Sequence, residues 1–553
     1  MPGTPAPTLG VEEELHVAAS GNGRLTSRGL DVLAAATPDS RDGTVVAELT
    51  LSQVETVTAV GSGVEDVLTR AAGLRRVAAD AARQRGLDLL ACGTPVLGDA
   101  DEQQVAPDER YLALRDRAAG LIRDQLIAGM HLHVGTSAPG TPLGEVDDDA
   151  RVAVVQALRP WLPALLAMTA NSPYFLGRDT GFASYRHVHW QRWPVAGPPP
   201  LTADAKEWHA AVGSVVDAGV VQDASFVYWD VRLATRYPTV EVRVADVVPT
   251  IEDAALLVAL VRGLATRVLA DHADGRAPAL SQLPVPQHAL RAAMWRAARY
   301  GLEDRLVDPR TGTLVAAPLV VRGLLETAMP GLEQAGDVDV AREGMRRLAR
   351  DGNGAQRQRA AFERNGWAGV LDVVRVRPDA PAPRLRPAPG STPRLAGDGN
   401  GWVQCTCGQQ HWGRHGAAGL LAVRPGAAGP EVLMQLRSPW THQGGTWGLP
   451  GGARDSHESV SQAARREANE ETGVDPEALT DVDQVVVDHG PWSYTYVLAS
   501  APTGTTAAVA NRESEAVEWL PLDRIGDLEL HPGLREVWPR LHDRVRGLSA
   551  LTP

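Results

Sequence analysis

In five short stretches before residue 375, apolar residues recur at every second position, and each stretch predicts a strand with one buried face. In 45–51, Val45, Ala47, Leu49 and Leu51 share a face, and Glu48 falls on the other. Met130, Leu132 and Val134 alternate with His131 and His133; Trp229, Val231 and Leu233 alternate with Asp230 and Arg232. Val240, Val242 and Val244 alternate with Glu241 and Arg243, while Glu12 and Glu14 stand opposite Val11, Glu13 and Leu15. Glu55 begins the segment that follows Glu48. The apolar run 254–270 is interrupted by Arg262 and Arg267, so it predicts a buried helix, too short and too charged to span a membrane. Residues 459–472 have helical periodicity, with Glu467, Glu470 and Glu471 at i, i+3 and i+4. They share their face with Val460, Ala463 and Ala464, while Gln462, Arg465, Asn469 and Thr472 take the opposite side.

Prolines 378, 381, 383, 387, 389 and 393, with few large apolar residues among them, predict an extended, semi-rigid linker. A Gly-Asp-Gly-Asn-Gly run follows at 397–401. The expected division is a domain over 8–375, a linker over 376–400 and a second domain over 401–545, in keeping with a 553-residue chain too long for one core. A formal charge of -13 argues against a nucleic-acid or acidic-membrane partner and for small-molecule chemistry. Three cysteines and an N-terminus without a charged, then apolar, leader suit a reducing cytoplasm. A homo-oligomer is compatible with these features. Lys206 is the single lysine, so phosphate clamps here must be arginines, and a lysine-dependent P-loop is excluded.

Charges on one strand are usually the wet face of an antiparallel sheet. Five such faces carrying Glu, His, Asp and Arg suit an ATP site, where carboxylates and a histidine hold divalent metal and arginine takes phosphate oxygens. The motifs G-V-E-E-E-L at 10–15, E-L-x-x-S-Q-V-E at 48–55, G-M-H-L-H-V-G at 129–135 and T-V-E-V-R-V-x-D at 239–246 resemble the type 2 glutamate–cysteine ligase family, and more closely its carboxylate–amine ligase subfamily. So do N-S-P-Y-F-L-G-R-D-T-G-F-A-S-Y-R at 171–186, W-R-A-A-R-Y-G at 295–301 and G-N-G-A-x-R-Q-R at 352–359. The resemblance implies an α+β fold of glutamine-synthetase type, with a curved antiparallel sheet forming a funnel. It implies an ATP-dependent ligase that turns a substrate carboxylate into an acyl phosphate, which an amine then displaces. For the pair in the family name, glutamate and cysteine, the products are γ-glutamylcysteine, ADP and phosphate. Carried over by position, Glu12, Glu14, Glu48, Glu55, His131 and Glu241 would hold magnesium or manganese. Arg243 would act with Glu241 in catalysis and hold phosphate, and Arg178 and Arg186 would contact substrate or nucleotide. His133 remains a ligand, a proton carrier or a hydrogen-bonded wall. A guanidino kinase, which shares the fold and the phosphoryl chemistry, is the rival reading.

Residues 452–474 carry a complete Nudix box: Gly452, Glu458, Arg466, Glu467, Glu470, Glu471 and Gly473, with Ala468 where the family prefers a bulkier residue. The stretches 417–424, 447–452 and 513–525 also resemble Nudix strands. The resemblance implies a smaller α/β/α domain in which Glu467, Glu470 and Glu471 are catalytic and bind metal, and water attacks the diphosphate of a nucleoside derivative. Arg466 and Glu458 would pair to fix the loop. A domain that only senses nucleotide and regulates the ligase is the alternative. Ahead of it, Cys405, Cys407, His411 and His415 form either a Cys2His2 zinc site or a reduced surface hairpin.

Overall fold

The computed structural model describes residues 6–137, 141, 143–276, 285–386, 399, 401–405, 408, 410–427, 429–438, 444–456, 458–510 and 514–549. The chain divides into two compact units, 1–393 and 394–553.

The alternating stretches of the first unit build one seven-stranded sheet. Its strands are β1 (Leu9–Ala19), β2 (Gly43–Ala47), β3 (Gln53–Thr58), β4 (Leu87–Leu90), β5 (Gly129–Gly135), β6 (Val231–Leu233) and β7 (Thr239–Asp246). Their order is β2-β3-β1-β5-β7-β6, with β4 beside the second half of β1, and every pairing is antiparallel. The helices α1 (Val64–Gln84) and α2 (Ile251–Ala273) pack on the apolar face, where Val11, Leu132, Val134, Val231, Val240 and Val242 join one core with the apolar residues of α2. This is the α+β architecture that the family resemblance implies, built on the strands that the alternation predicts.

The run 254–270 lies within the buried α2, and its charge is paired: Arg262 donates to Asp337 at 2.8 Å and to the carbonyls of Pro7 at 2.9 Å and Ser62 at 2.8 Å. Among the described residues, Asp148–Thr169 is a helical stretch long and apolar enough to cross a membrane, but its most apolar 18-residue window is 94% buried inside the unit.

Two strands are shorter than their alternation. The first stops at Ala47, which places Glu48 in a turn. There Thr50 Oγ1 lies 3.0 Å from Ser52 Oγ and 2.9 Å from Gln53 Oε1, and Gln53 donates to the carbonyl of Ile127 at 2.6 Å. Hydroxyls that satisfy one another locally favour a turn over a continued ladder. Of the stretch 228–233 only Val231–Leu233 is strand. The expected linker over 376–400 is described as far as Arg386. Its first part lies on the first unit, where Leu385 enters the core and Arg386 pairs with Glu65 at 2.8 Å. Residues 387–398 and 400 lie outside the described residues.

The second unit opens with a two-stranded ribbon, β8 (Trp402–Gln404) and β9 (Gln410–Trp412). Its main sheet is mixed and contains β10 (Ala417–Gly426), β11 (Gly429–Arg437), β12 (Trp447–Gly448), β13 (Gly451–Ala453), β14 (Thr480–Asp488), β15 (Ser493–Ser500) and β16 (Ser514–Pro521). The parallel pair β10–β15 lies at its centre. Alternation divides its apolar residues between two cores. Leu421, Val432 and Leu498 meet the C-terminal helix Pro532–Ser549, whereas Leu420, Leu433 and Val497 meet the helix α3 (Val460–Thr472). The result is the expected α/β/α sandwich.

One charge sits on the apolar side of the first sheet. Glu13 is fully buried and takes two hydrogen bonds from Arg75 of α1, at 2.8 and 2.6 Å, while Arg75 also donates to the carbonyls of Val248 and Pro249. Removing one partner of such a pair strands the other, at a cost of about 3–5 kcal/mol. Arg75→Met is therefore expected to lower the unfolding free energy of the first unit by that amount, read as a lower denaturant midpoint at unchanged m, and Arg75→Met with Glu13→Leu to recover most of it. Equal midpoints for Arg75→Met and the unaltered chain would show the pair to be energetically idle.

Candidate active site

The face of the first sheet away from the helices lines a cavity of about 480 Å³. Strand register decides which side chains meet there. Glu12 of β1 stands opposite His131 of β5, and Glu14 opposite Glu55 of β3. His133 stands opposite Glu241 of β7, and Arg232 of β6 opposite the same Glu241. Like charges directly opposite one another destabilise a sheet, so the Glu14–Glu55 pairing is not a packing choice. The turn after β2 delivers Glu48 to this wall, within 3.4 Å of the Tyr111 hydroxyl.

The donors converge. His131 Nδ1 lies 3.3 Å from Glu12 and Nε2 lies 3.8 Å from Glu14, while His133 Nε2 lies 3.4 Å from Glu12. Three overlapping triads each bring their ligand atoms within 4.8 Å of one another: Glu12–Glu55–His131, Glu12–His133–Glu241 and Glu14–Glu48–Glu55. Oxygen-rich sets with one imidazole suit magnesium or manganese. The electrostatics point the same way. Burial, reinforced by Glu14, pushes the Glu48 carboxyl up to about 7. Burial and then Glu48, Glu12 and Glu14 push Glu55 well above the usual carboxylate range. Burial also acts to raise Glu12, but hydrogen bonds from His131 and His133 outweigh it and hold Glu12 well below that range. Glu55 and Glu48 cannot both ionise in this cavity without a cation.

Arginines close one end. Arg243 donates to Glu241, which also receives Arg232 Nε at 2.8 Å, and the Arg243 guanidinium lies 5.6 Å from the Trp190 ring centre. Burial works against the Glu241 charge, but Arg243 and Arg232 overcome it and hold its carboxyl well below the usual range. A β-bulge underlies this arrangement. Pairing slips between Met130 and Leu132, so Met130 faces Ala245 and Leu132 faces Val242. The extra residue changes the alternation: Val242, Val244 and Ala245 all join the core, and Asp246 joins the side of Glu241 and Arg243. Asp246 there accepts hydrogen bonds from Asn171 N at 2.8 Å, Ser172 Oγ at 2.6 Å and Ser184 Oγ at 2.8 Å.

Of the residues singled out in this unit, Glu12, Glu14, Glu48, Glu55, His131, Glu241, Arg243 and Arg186 line the one cavity. Arg186 is buried and committed to the backbone, donating to the carbonyls of Arg243 at 3.1 Å and Val244 at 3.4 Å. Arg178 is not brought there. It is exposed on the short hairpin Tyr174–Phe175/Arg178–Asp179, because a two-residue strand leaves no sheet to aim it inward. Sequence reasoning passed over Tyr111, which sits on the helix Glu109–Ala118, and Trp190, whose apolar cluster that helix joins through Leu114 and Ala118. Arg232 carried a signal, its alternation with Val231 and Leu233.

In the second unit the capping box of Ser459 with Gln462 starts α3, and Gly473 in left-handed conformation ends it. Glu471 is buried, Glu467 half-buried and Glu470 exposed. Thr472, placed by periodicity on the polar side, is fully buried and donates to the Ala468 carbonyl at 2.6 Å, because the sheet wraps the helix end more widely than a single stripe. Glu471 accepts from Gly451 N at 2.9 Å, and burial followed by Glu467 pushes its carboxyl up to about 8. Arg466 pairs with Glu458 at 2.6 Å and with Glu467 at 2.8 Å, as its place in the motif implies. A Cβ at Gly452 would come within 2.6 Å of the Glu467 carboxylate carbon, which accounts for a glycine there. Of the cysteine–histidine run, Cys405 and His411 come together, but with His489; His415 is exposed in a turn, and Cys407 lies outside the described residues.

With this geometry established, the chain can be compared with known proteins. Residues 8–374 match glutamate-cysteine ligase family 2, and residues 413–541 match the NUDIX domain. A protein of Mycolicibacterium vanbaalenii named "Putative glutamate--cysteine ligase 2-2" is 41% identical over 362 residues, which cover 66% of this chain and 95% of that protein. The crystal structure of a glutamate–cysteine ligase from Francisella tularensis, in complex with AMP, is similar in fold with a TM-score of 0.51 and 12% identity, covering 67% of this chain and 88% of that one. A Nudix hydrolase from M. smegmatis is 44% identical, covering 28% of this chain and all 100% of that one, with a TM-score of 0.27.

Because a proton occupies Glu48 below about pH 7, divalent cation must displace it there. Manganese affinity, measured by calorimetry in a Glu471→Gln background, is expected to rise as pH goes from 6 to 8, and Glu48→Gln to flatten that rise. A pH-independent affinity would remove Glu48 from the ligand set.

Proposed function

The chain belongs to glutamate-cysteine ligase family 2 and carries a Nudix domain, and from that premise we propose that its first unit joins a carboxylate to an amine at the expense of ATP. The observation that carries this reading is the meeting of two carboxylate–histidine triads and one all-carboxylate triad with Arg243 in one cavity. The cavity's size falls within the range of small-molecule pockets. In the proposed reaction a substrate carboxylate oxygen attacks the γ-phosphorus of ATP, forming an acyl phosphate and releasing ADP. The amine nitrogen then attacks the acyl carbon, phosphate leaves with the carbon–oxygen bonding pair, and the amine gives up a proton. Magnesium or manganese held by Glu12, Glu14, Glu48, Glu55, His131 and Glu241 would supply Lewis acidity and neutralise phosphate charge. Arg243, held by Glu241 and Trp190, would take developing charge on the transferring phosphoryl. Arg186 supports Arg243 through its carbonyl rather than meeting substrate. The family name points to glutamate and cysteine as the pair, and the buried thiol of Cys92 suits a cytoplasmic setting.

For the second unit we infer hydrolysis of a nucleoside diphosphate derivative, with Glu467, Glu470 and Glu471 as the metal-binding carboxylates. Support comes from the buried Glu471, whose raised carboxyl needs a cation to ionise.

Full-length protein given ATP, magnesium, glutamate and cysteine is expected to release ADP and phosphate, and hydroxylamine in place of cysteine to trap a hydroxamate. Arg243→Ala should lower kcat about 10²–10³-fold. A stable phosphorylated product without hydroxamate would make the unit a kinase, and activity only with another pair would reassign the substrates. Glu471→Gln should abolish hydrolysis across a panel of nucleoside diphosphate derivatives and leave ligation unchanged. Ligation that responds to nucleotide in a protein without hydrolysis would make the second unit a sensor.

A further inference from the structure

We propose that Cys405, His411 and His489 bind a zinc ion that fastens the ribbon β8–β9 to the turn between β14 and β15. The sulfur and one nitrogen from each ring lie within 4.8 Å of one another. Cys405 follows β8, His411 is the central residue of β9 and pairs with Val403, and His489 begins the turn after β14. The set therefore spans two elements distant in sequence.

The donors decide the ion. A thiolate with two imidazoles selects zinc over the hard cations that suit the carboxylate clusters. Bonds of about 2.3 Å to sulfur and 2.0–2.1 Å to nitrogen require ligand atoms roughly 3.4–3.7 Å apart, so the donors need approach one another by about 1.4 Å at most to close the set. Its parts are already held in place. Cys405 is 4% exposed, with Sγ 3.4 Å from the His489 carbonyl. The His411 ring stacks on Trp492 at 4.2 Å and 10°, and its centre lies 4.7 Å from that of His489. His489 N donates to the Trp492 carbonyl at 2.9 Å, and Trp492 Nε1 to that of Trp412 at 3.1 Å.

The ribbon also needs such a fastening. It forms its own two-stranded sheet and, apart from Cys405, contributes no side chain to the described buried core of the unit. An isolated two-stranded hairpin is marginal in water, and a metal that closes a long loop supplies what the apolar contacts do not. On binding, the Cys405 thiol releases its proton to solvent, its thiolate and two neutral ring nitrogens donate electron pairs, and nothing is oxidised or reduced.

The test is cobalt(II) titration of the chelator-stripped full chain. A thiolate-to-cobalt charge-transfer band in the near ultraviolet cannot come from carboxylate sites. The expected result is one such cobalt per chain, displaced by zinc, absent in Cys405→Ser and weakened at least about tenfold in affinity by His411→Gln or His489→Gln. Far-UV circular dichroism reports that each variant is folded; if Cys405→Ser is not, the glutamine variants, close in volume to histidine, carry the test. No band in the folded chain, a band that survives Cys405→Ser, or one indifferent to both glutamine variants would overturn the proposal.

Discussion

The first unit is organised around negative charge gathered in one place. Glu12, Glu14, Glu48, Glu55 and Glu241 share one cavity wall with Arg232 and Arg243. Two like charges about 4 Å apart repel by about 4 kcal/mol at an effective dielectric of 20, more than a favourable cross-strand pair returns. The polar face therefore cannot set its own register. The opposite face does so: each Val or Leu buried against α1 and α2 contributes about 1.5–3 kcal/mol, and a slip of one residue would bring the glutamates into that core. The apolar side holds the carboxylates at positions they would not choose.

That division of labour explains what was legible beforehand. Alternation of Val240, Val242 and Val244 with Glu241 and Arg243, or of Met130, Leu132 and Val134 with two histidines, is written in the chain, because the buried face must be continuous. The antiparallel sheet, the buried run 254–270 and the capped helix with three glutamates were visible for the same reason. Features set by partners distant in sequence were not. The turn at Glu48 depends on Gln53 reaching Ile127, and the outward placement of Arg178 on a hairpin too short to aim it. The burial of Thr472 depends on the sheet beside α3. Tyr111 and Trp190 enter the cavity from segments with no strand-like period at all.

The two units handle crowded carboxylates differently. In the first, two arginines pair with a single glutamate, Glu241, and the carboxyls of Glu48 and Glu55 stay raised. In the second, Arg466 pairs with both Glu458 and Glu467 and lies 3.5 Å from Glu470, so one guanidinium restrains most of the motif, while the buried Glu471 carboxyl is raised. The second cluster is thus partly neutralised by its own helix, and the first is not. Since none of these three guanidiniums can give up its proton at accessible pH, the charge of the two sites varies through their carboxyls and, in the first, its imidazoles.

The bulge at the end of β7 puts two reading frames in one strand. Before it, odd positions leave the core, as Glu241 and Arg243 do toward the cavity; after it, Ala245 stays in the core and the even Asp246 leaves it, toward Asn171, Ser172 and Ser184. Side-chain chemistry there is tied to chain length. A lost or gained residue between 243 and 245 would leave every functional group present and turn Asp246 into the core, away from Asn171, Ser172 and Ser184. Descendants of this sequence can thus exchange residues along the strand far more freely than they can change the number of peptide units in it.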